Sequence, residues 1–148
     1  MNTIYLINKN FIDANEILSK IQQISNKIKA NFIHDNRIII VKELSQKLEQ
    51  IEFSGLNKDY FLESLNNKNF IDNYGCILTI DYDSEDSLLQ EFIKELFIYY
   101  PDILVYNDEG LPKGVNYYTY NKIHFDKFKG NSLYALLTTP PKDLGNMA

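Results

Sequence analysis

The sequence predicts an α+β domain: a single mixed sheet of about four to six strands packed with helices. Three observations carry this reading. Strand-length apolar runs, such as Ile38-Ile39-Ile40-Val41 and Cys76-Ile77-Leu78, alternate with stripes at helical spacing, such as Leu88, Leu89, Phe92, Ile93 and Leu96. A length of 148 residues suits one domain with one sizeable core. No apolar run approaches the ~20 residues that span a bilayer.

Thr3 to Ile7 reads as the first strand. Asp13 with Glu16 three residues later fits a capping box, and Ile17, Leu18, Ile21, Ile24 and Ile28 follow at helical spacing, so a helix runs from about Asp13 to Ala30. Arg37 to Val41 is an unbroken apolar strand, expected at the centre of the sheet. Leu44, Leu48 and Ile51 fit a helix, while Ile51-Glu52-Phe53 fits the start of a strand equally well. A short helix is expected from Asn57 to Leu65, and a strand from Tyr74 to Tyr82.

Asp83-Ser84-Glu85-Asp86 then opens a helix with an acidic first turn, which the helix dipole favours. Pro101 ends that helix. Ile103 to Tyr106 is a strand and Asn107-Asp108-Glu109-Gly110 a turn. Val115 to Tyr120 is another strand. Thr138-Thr139-Pro140-Pro141 looks like an exit into a loose tail over residues 138–148. The whole chain, 1–148, reads as a single domain.

Composition narrows the chemistry. Cys76 is the sole cysteine, so no intrachain disulfide forms, and its apolar neighbours predict a buried, structural thiol. Met1-Asn2-Thr3-Ile4 lacks the basic segment and apolar core of a signal peptide, which predicts a cytoplasmic protein. The abundance of Ile, Asn, Lys, Tyr and Phe, with Arg37 the only arginine, resembles the usage of an AT-rich bacterial genome.

No cofactor motif is present, and no glycine-rich phosphate loop or nucleophile elbow. Asp81-Tyr82-Asp83-Ser84-Glu85-Asp86 begins like a calcium loop, but its sixth and twelfth positions hold Asp86 and Phe92 where glycine and glutamate are needed. His34 and His124 stand beside Asp35 and near Asp126, a pairing that can serve acid–base work, but neither has metal-ligand spacing. No catalytic and no metal-ligating residue is expected. An enzyme using His34 or His124 is the weakest of the readings. Tyr117, Tyr118 and Tyr120 near Lys113 and Lys122 could stack single-stranded bases. The acidic balance gives little drive toward nucleic acid, so none is expected as a partner, and no membrane partner is expected.

The net charge of −5 is unevenly spread. Residues 81–109 hold nine acids and one base, Lys94, while residues 1–80 balance at nine of each. A rim of carboxylates repels itself and attracts a basic partner. The candidate partner-binding residues are Asp83, Glu85, Asp86, Glu91, Glu95, Asp102, Asp108 and Glu109, with Tyr99 and Tyr106 as aromatic anchors. A solvated helix face with two caps is the plainer account of the same charges.

The stretch Leu88 to Gly110 joins an amphipathic helix, Tyr100-Pro101-Asp102, a strand and Asn107-Asp108-Glu109-Gly110. In style it is similar to segments of the immunity proteins of interbacterial toxin systems, over about a fifth of the chain. That family shares no single fold and no catalytic residue. The resemblance implies a cytoplasmic binding protein that blocks a cognate toxin domain, often a basic nuclease. The alternative is a small-ligand-binding or regulatory domain, with a pocket between helices and sheet near the tyrosines.

Overall fold

The computed structural model describes residues 2–54, 74–83, 87–130 and 132–144, with Cys76 and Ile77 in backbone only. Seven strands form one sheet: β1 (Asn2–Asn8), β2 (Asn31–His34), β3 (Ile38–Leu44), β4 (Lys47–Ser54), β5 (Cys76–Tyr82), β6 (Leu104–Asn107) and β7 (Tyr118–Tyr120). The helices are α1 (Ala14–Lys27), α2 (Ser87–Tyr99) and three short ones, α3 (Lys122–Lys127), α4 (Leu133–Leu137) and α5 (Pro141–Leu144). The sheet order is β2-β3-β4-β5-β1-β6-β7, and every neighbouring pair is antiparallel. The α+β class therefore holds, with one strand more than the expected range and no parallel pair. The strand expected at the centre, β3, is second from an edge; β5 and β1 lie further in.

Alternation assigns the two faces of the sheet. Ile4, Leu6, Ile40, Ile51, Phe53, Leu78, Ile80 and Val105 point to one face, where they share a single buried cluster with the apolar stripes of α1 and α2. Phe53 meets Phe92 of α2 with ring centroids 4.9 Å apart. On the other face, Ile7, Tyr74 and Tyr106 form a smaller cluster with Tyr5, Leu104 and Tyr117 packed on it.

Helix α1 begins where Asp13 accepts the Asn15 N–H. Glu16, which a capping box would turn back toward Asp13, accepts the Tyr100 hydroxyl at 2.7 Å. At its C-terminus Lys29 takes the left-handed conformation, φ 61°, and Ala30 N–H reaches back to the Ser25 carbonyl.

The ambiguous stretch after Val41 resolves as a hairpin rather than a helix. Leu44 pairs with Lys47, and Ser45 and Gln46 both have positive φ, 51° and 67°. That is the two-residue loop whose twist matches paired strands. Strand β2 was not expected at all; it pairs with β3 across a loop in which Asp35 accepts the Arg37 N–H.

Helix α2 is described from Ser87; the acidic turn residues Ser84, Glu85 and Asp86 and the helix expected over Asn57–Leu65 lie outside the described residues. The Cys76 thiol does too, although its backbone opens β5. The expected tail is folded at least to Leu144. Leu133, Leu136, Leu137 and Leu144 are buried, and the Tyr120 hydroxyl donates to the Thr139 carbonyl at 2.7 Å. Among the described residues no helix is long and apolar enough to cross a membrane.

Candidate functional site: an acidic rim at one end of the sheet

Antiparallel pairing sets the start of β1 beside the ends of β5 and β6, because Asn2 lies opposite Tyr82 and Tyr5 opposite Tyr106. The turns leaving β5 and β6 are the acidic ones. Asp81, Asp83, Asp108 and Glu109 therefore collect at one end of the sheet.

Thr3 ties this end together. Its hydroxyl donates to Asp81 at 2.6 Å, and its backbone N–H donates to Glu109 at 3.3 Å. Two residues on, the phenol of Tyr5 is pushed up to about 12, first by burial and then by the charges of Asp108, Glu109 and Asp81. Three carboxylates thus act together on one phenol. Burial also raises the Asp108 carboxyl, offset in part by its own backbone N–H. Among the described residues none of the three makes an ion pair. Glu52 lies directly across from Asp81, a like-charge pairing that strains a sheet; Arg37 approaches Glu52 at 3.5 Å.

Beside the rim runs a groove of about 210 Å3, bordered by Asn2, Tyr82, Asn107, Glu109, Gly110 and Tyr134. Tyr134 is 60% exposed, and its ring lies against Gly110, where φ is +70° and an added Cβ would sit 3.4 Å from the ring. The Asn107 side chain holds the turn by donating to the Glu109 and Leu137 carbonyls and accepting the Glu109 N–H.

The other acidic residues of the segment do not join this rim. Glu91 and Glu95 on α2 are paired with Lys42 at 2.9 Å and Lys27 at 2.7 Å. Tyr99 carries the Lys20 amine 4.8 Å above its ring. Asp102 follows α2 at the opposite end of the sheet, beside Asn8 and Asn121. Tyr106 is fully buried, stacked 5.0 Å from Tyr117, and so serves as packing rather than as an exposed anchor. Glu85 and Asp86 lie outside the described residues.

Asp81 belongs to the acidic strand ends that the sequence marks for docking, whereas Thr3, Tyr5 and Tyr134 carry no signal of a site in the sequence. Alternation along β1 put Thr3 and Tyr5 on one face, but only the β1–β5 and β1–β6 register brings them to the acids.

His34 is exposed on the edge strand. His124 accepts the Asn121 N–H through Nδ1, and its own N–H goes to the Asn121 side chain, a capping box at the start of α3. Burial, then Lys127, pushes the His124 imidazole below its ordinary value. Among the described residues no three His, Cys, Asp or Glu side chains converge in a way that could hold a metal ion. Comparison with protein families, with characterised proteins and with solved structures finds no match.

Proposed function

We propose that the chain is a stoichiometric inhibitor of the immunity-protein kind, which neutralises a basic toxin domain by docking it on the rim formed by Asp81, Asp108 and Glu109. The supporting observation is the contrast within one acidic segment: Glu91 and Glu95 have lysine partners, while the three rim carboxylates, whose charges all act on Tyr5, have none among the described residues. Like charges held together raise the local negative potential and speed the approach of a cationic surface. Arginine or lysine side chains of the partner would supply the missing counter-charges. Tyr134 at the edge of the rim offers the kind of aromatic anchor that interfaces concentrate.

The test separates the two acidic groups. The partner is captured from the source cells with the native chain as bait. Its affinity is then measured at low and high salt for Asp81→Asn/Asp108→Asn/Glu109→Gln and for Glu91→Gln/Glu95→Gln. The rim triple should bind about tenfold or more weakly at low salt and lose much of its salt dependence. The helix double should bind like wild type. Equal affinities for the triple and wild type at both salt concentrations would remove the rim from the mechanism.

A further inference from the structure

At the end of the sheet away from the acidic rim, the chain leaving β1, the turn between α2 and β6, and the start of α3 enclose a cleft of about 560 Å3. That is the size of a small-molecule site, and no part of the rim lines it. The loop after β1 is fixed against the start of β5. Gly75 N–H donates to the carbonyls of Asn8 and Lys9, and a Cβ at Gly75 would stand 2.7 Å from the Phe11 nitrogen. One wall of the cleft is therefore rigid.

The lining has a definite chemistry. Tyr74, Pro101 and Leu104 give an apolar surface. Asn8 is 6% exposed; its Nδ2 donates to the Asn10 carbonyl at 2.9 Å, which leaves its side-chain oxygen as an acceptor. Asn121 uses its side-chain oxygen on the His124 N–H, which leaves its NH2 as a donor. Both signs of charge are present in the lining: Lys9 and Lys122, and Asp102. Lys122 already holds Asp126 at 2.6 Å, whereas Lys9 and Asp102 make no ion pair among the described residues.

We propose that this cleft binds a small zwitterion of the amino-acid or dipeptide class, its carboxylate toward Lys9 and its ammonium toward Asp102. The apolar part would rest on Tyr74 and Leu104. A simple anion would meet Asp102, and a simple cation would meet two lysines. A molecule carrying both charges satisfies each group, and the two asparagines add a neutral acceptor and a neutral donor to the lining. The proposal is independent of the acidic rim.

The experiment follows backbone amide shifts of the full chain during titration with dileucine, with its N-acetyl form and with its C-terminal amide. Saturable shifts should appear at Lys9, Asn10, Asp102 and Ile123. Each capped form should bind about tenfold more weakly, the loss expected for one charge-assisted hydrogen bond. Asp102→Asn should abolish the discrimination against the N-acetyl form, and Lys9→Gln that against the amide. Both side chains are exposed, so both variants should keep the wild-type unfolding midpoint, which is checked alongside. Absence of saturable shifts in the cleft up to the solubility limit, equal binding of capped and free forms, or unchanged discrimination in the variants would each overturn the assignment.

Discussion

The carboxylate of Glu49, on β4 and only 6% exposed, accepts the backbone N–H of Leu88 in the first turn of α2 at 3.1 Å. A side chain distant in sequence thus satisfies one of the open donors at the helix start, where the dipole favours negative charge. Lys42 lies directly across the hairpin from Glu49 and reaches Glu91 one turn further along the same helix. Glu49→Ala should cost about 0.5–2 kcal/mol, the range for a lost N-cap acceptor. Glu49→Gln, which keeps an acceptor, should cost less. Urea midpoints of the two variants check this; equal midpoints for both and for wild type would show that the contact does not hold the helix.

Phe92 is fully buried between α2 and the sheet, against Phe53. Phe92→Ala should destabilise by about 3–5 kcal/mol through lost burial and a residual cavity. That is a large part of the ~5–15 kcal/mol typical of a domain. An unchanged urea midpoint would contradict the packing described.

His124 should make stability depend on pH. Its folded-state value lies below the ordinary one because burial, and then Lys127, disfavour the imidazolium. Above about pH 6.5, the unfolded value, both states hold it neutral and its contribution is complete. As pH falls through that value the unfolded chain takes up the proton first, and stability declines until the folded imidazole also titrates. Protonation also removes the Nδ1 acceptor of the capping box. The stability gap between wild type and His124→Gln should therefore narrow as pH falls below about 6.5. A gap constant with pH would exclude the effect.

Tyr5 should act at the other extreme. With its phenol pushed up to about 12, folding favours the protonated form. Stability is complete below the unfolded value near 10 and is lost as pH rises toward the folded one. Tyr5→Phe should flatten this alkaline decline. Asp108→Asn/Glu109→Gln should reduce it by lowering the negative potential at the phenol. Unfolding curves across that alkaline range provide the check, and a Tyr5→Phe decline as steep as wild type would contradict it.

Much of the architecture was readable because it rests on local periodicity. The stripe Leu88, Leu89, Phe92, Ile93, Leu96 and Phe97 is buried as its spacing implies, and β5 runs where its apolar residues lie. The β3–β4 hairpin was ambiguous because Ser45-Gln46 lacks the Asn-Gly signature of its loop, and because Leu44, Leu48 and Ile51 happen to recur at helical spacing. Strand β2 escaped notice because a four-residue edge strand buries too little to show a pattern. Helix α5 was hidden behind Pro140 and Pro141, since Pro141 starts it, a position where proline fits. For the site, charge density in the sequence marked the right segment but could not separate the paired acids from the unpaired ones. Lys27 and Lys42 come from other elements, and only the fold brings them to Glu95 and Glu91.

The placement of β1 also has a kinetic side. Strands β2, β3 and β4 form successive hairpins that can close as soon as they are made, whereas β1 pairs on one side with β5 and on the other with β6, across most of the chain. Such distant pairing carries the loop-closure entropy that slows folding. During synthesis one edge of β1 stays open until β5 has emerged, and the other until β6 has emerged as far as Tyr106. Folding should therefore run from the β2–β4 side inward, with insertion of β1 between β5 and β6 as the late step that joins the two halves of the sheet. Because Thr3 carries the contacts to both Asp81 and Glu109, the acidic rim would be assembled only at that step, so a partner that reads the rim would find it only on chains that have finished folding.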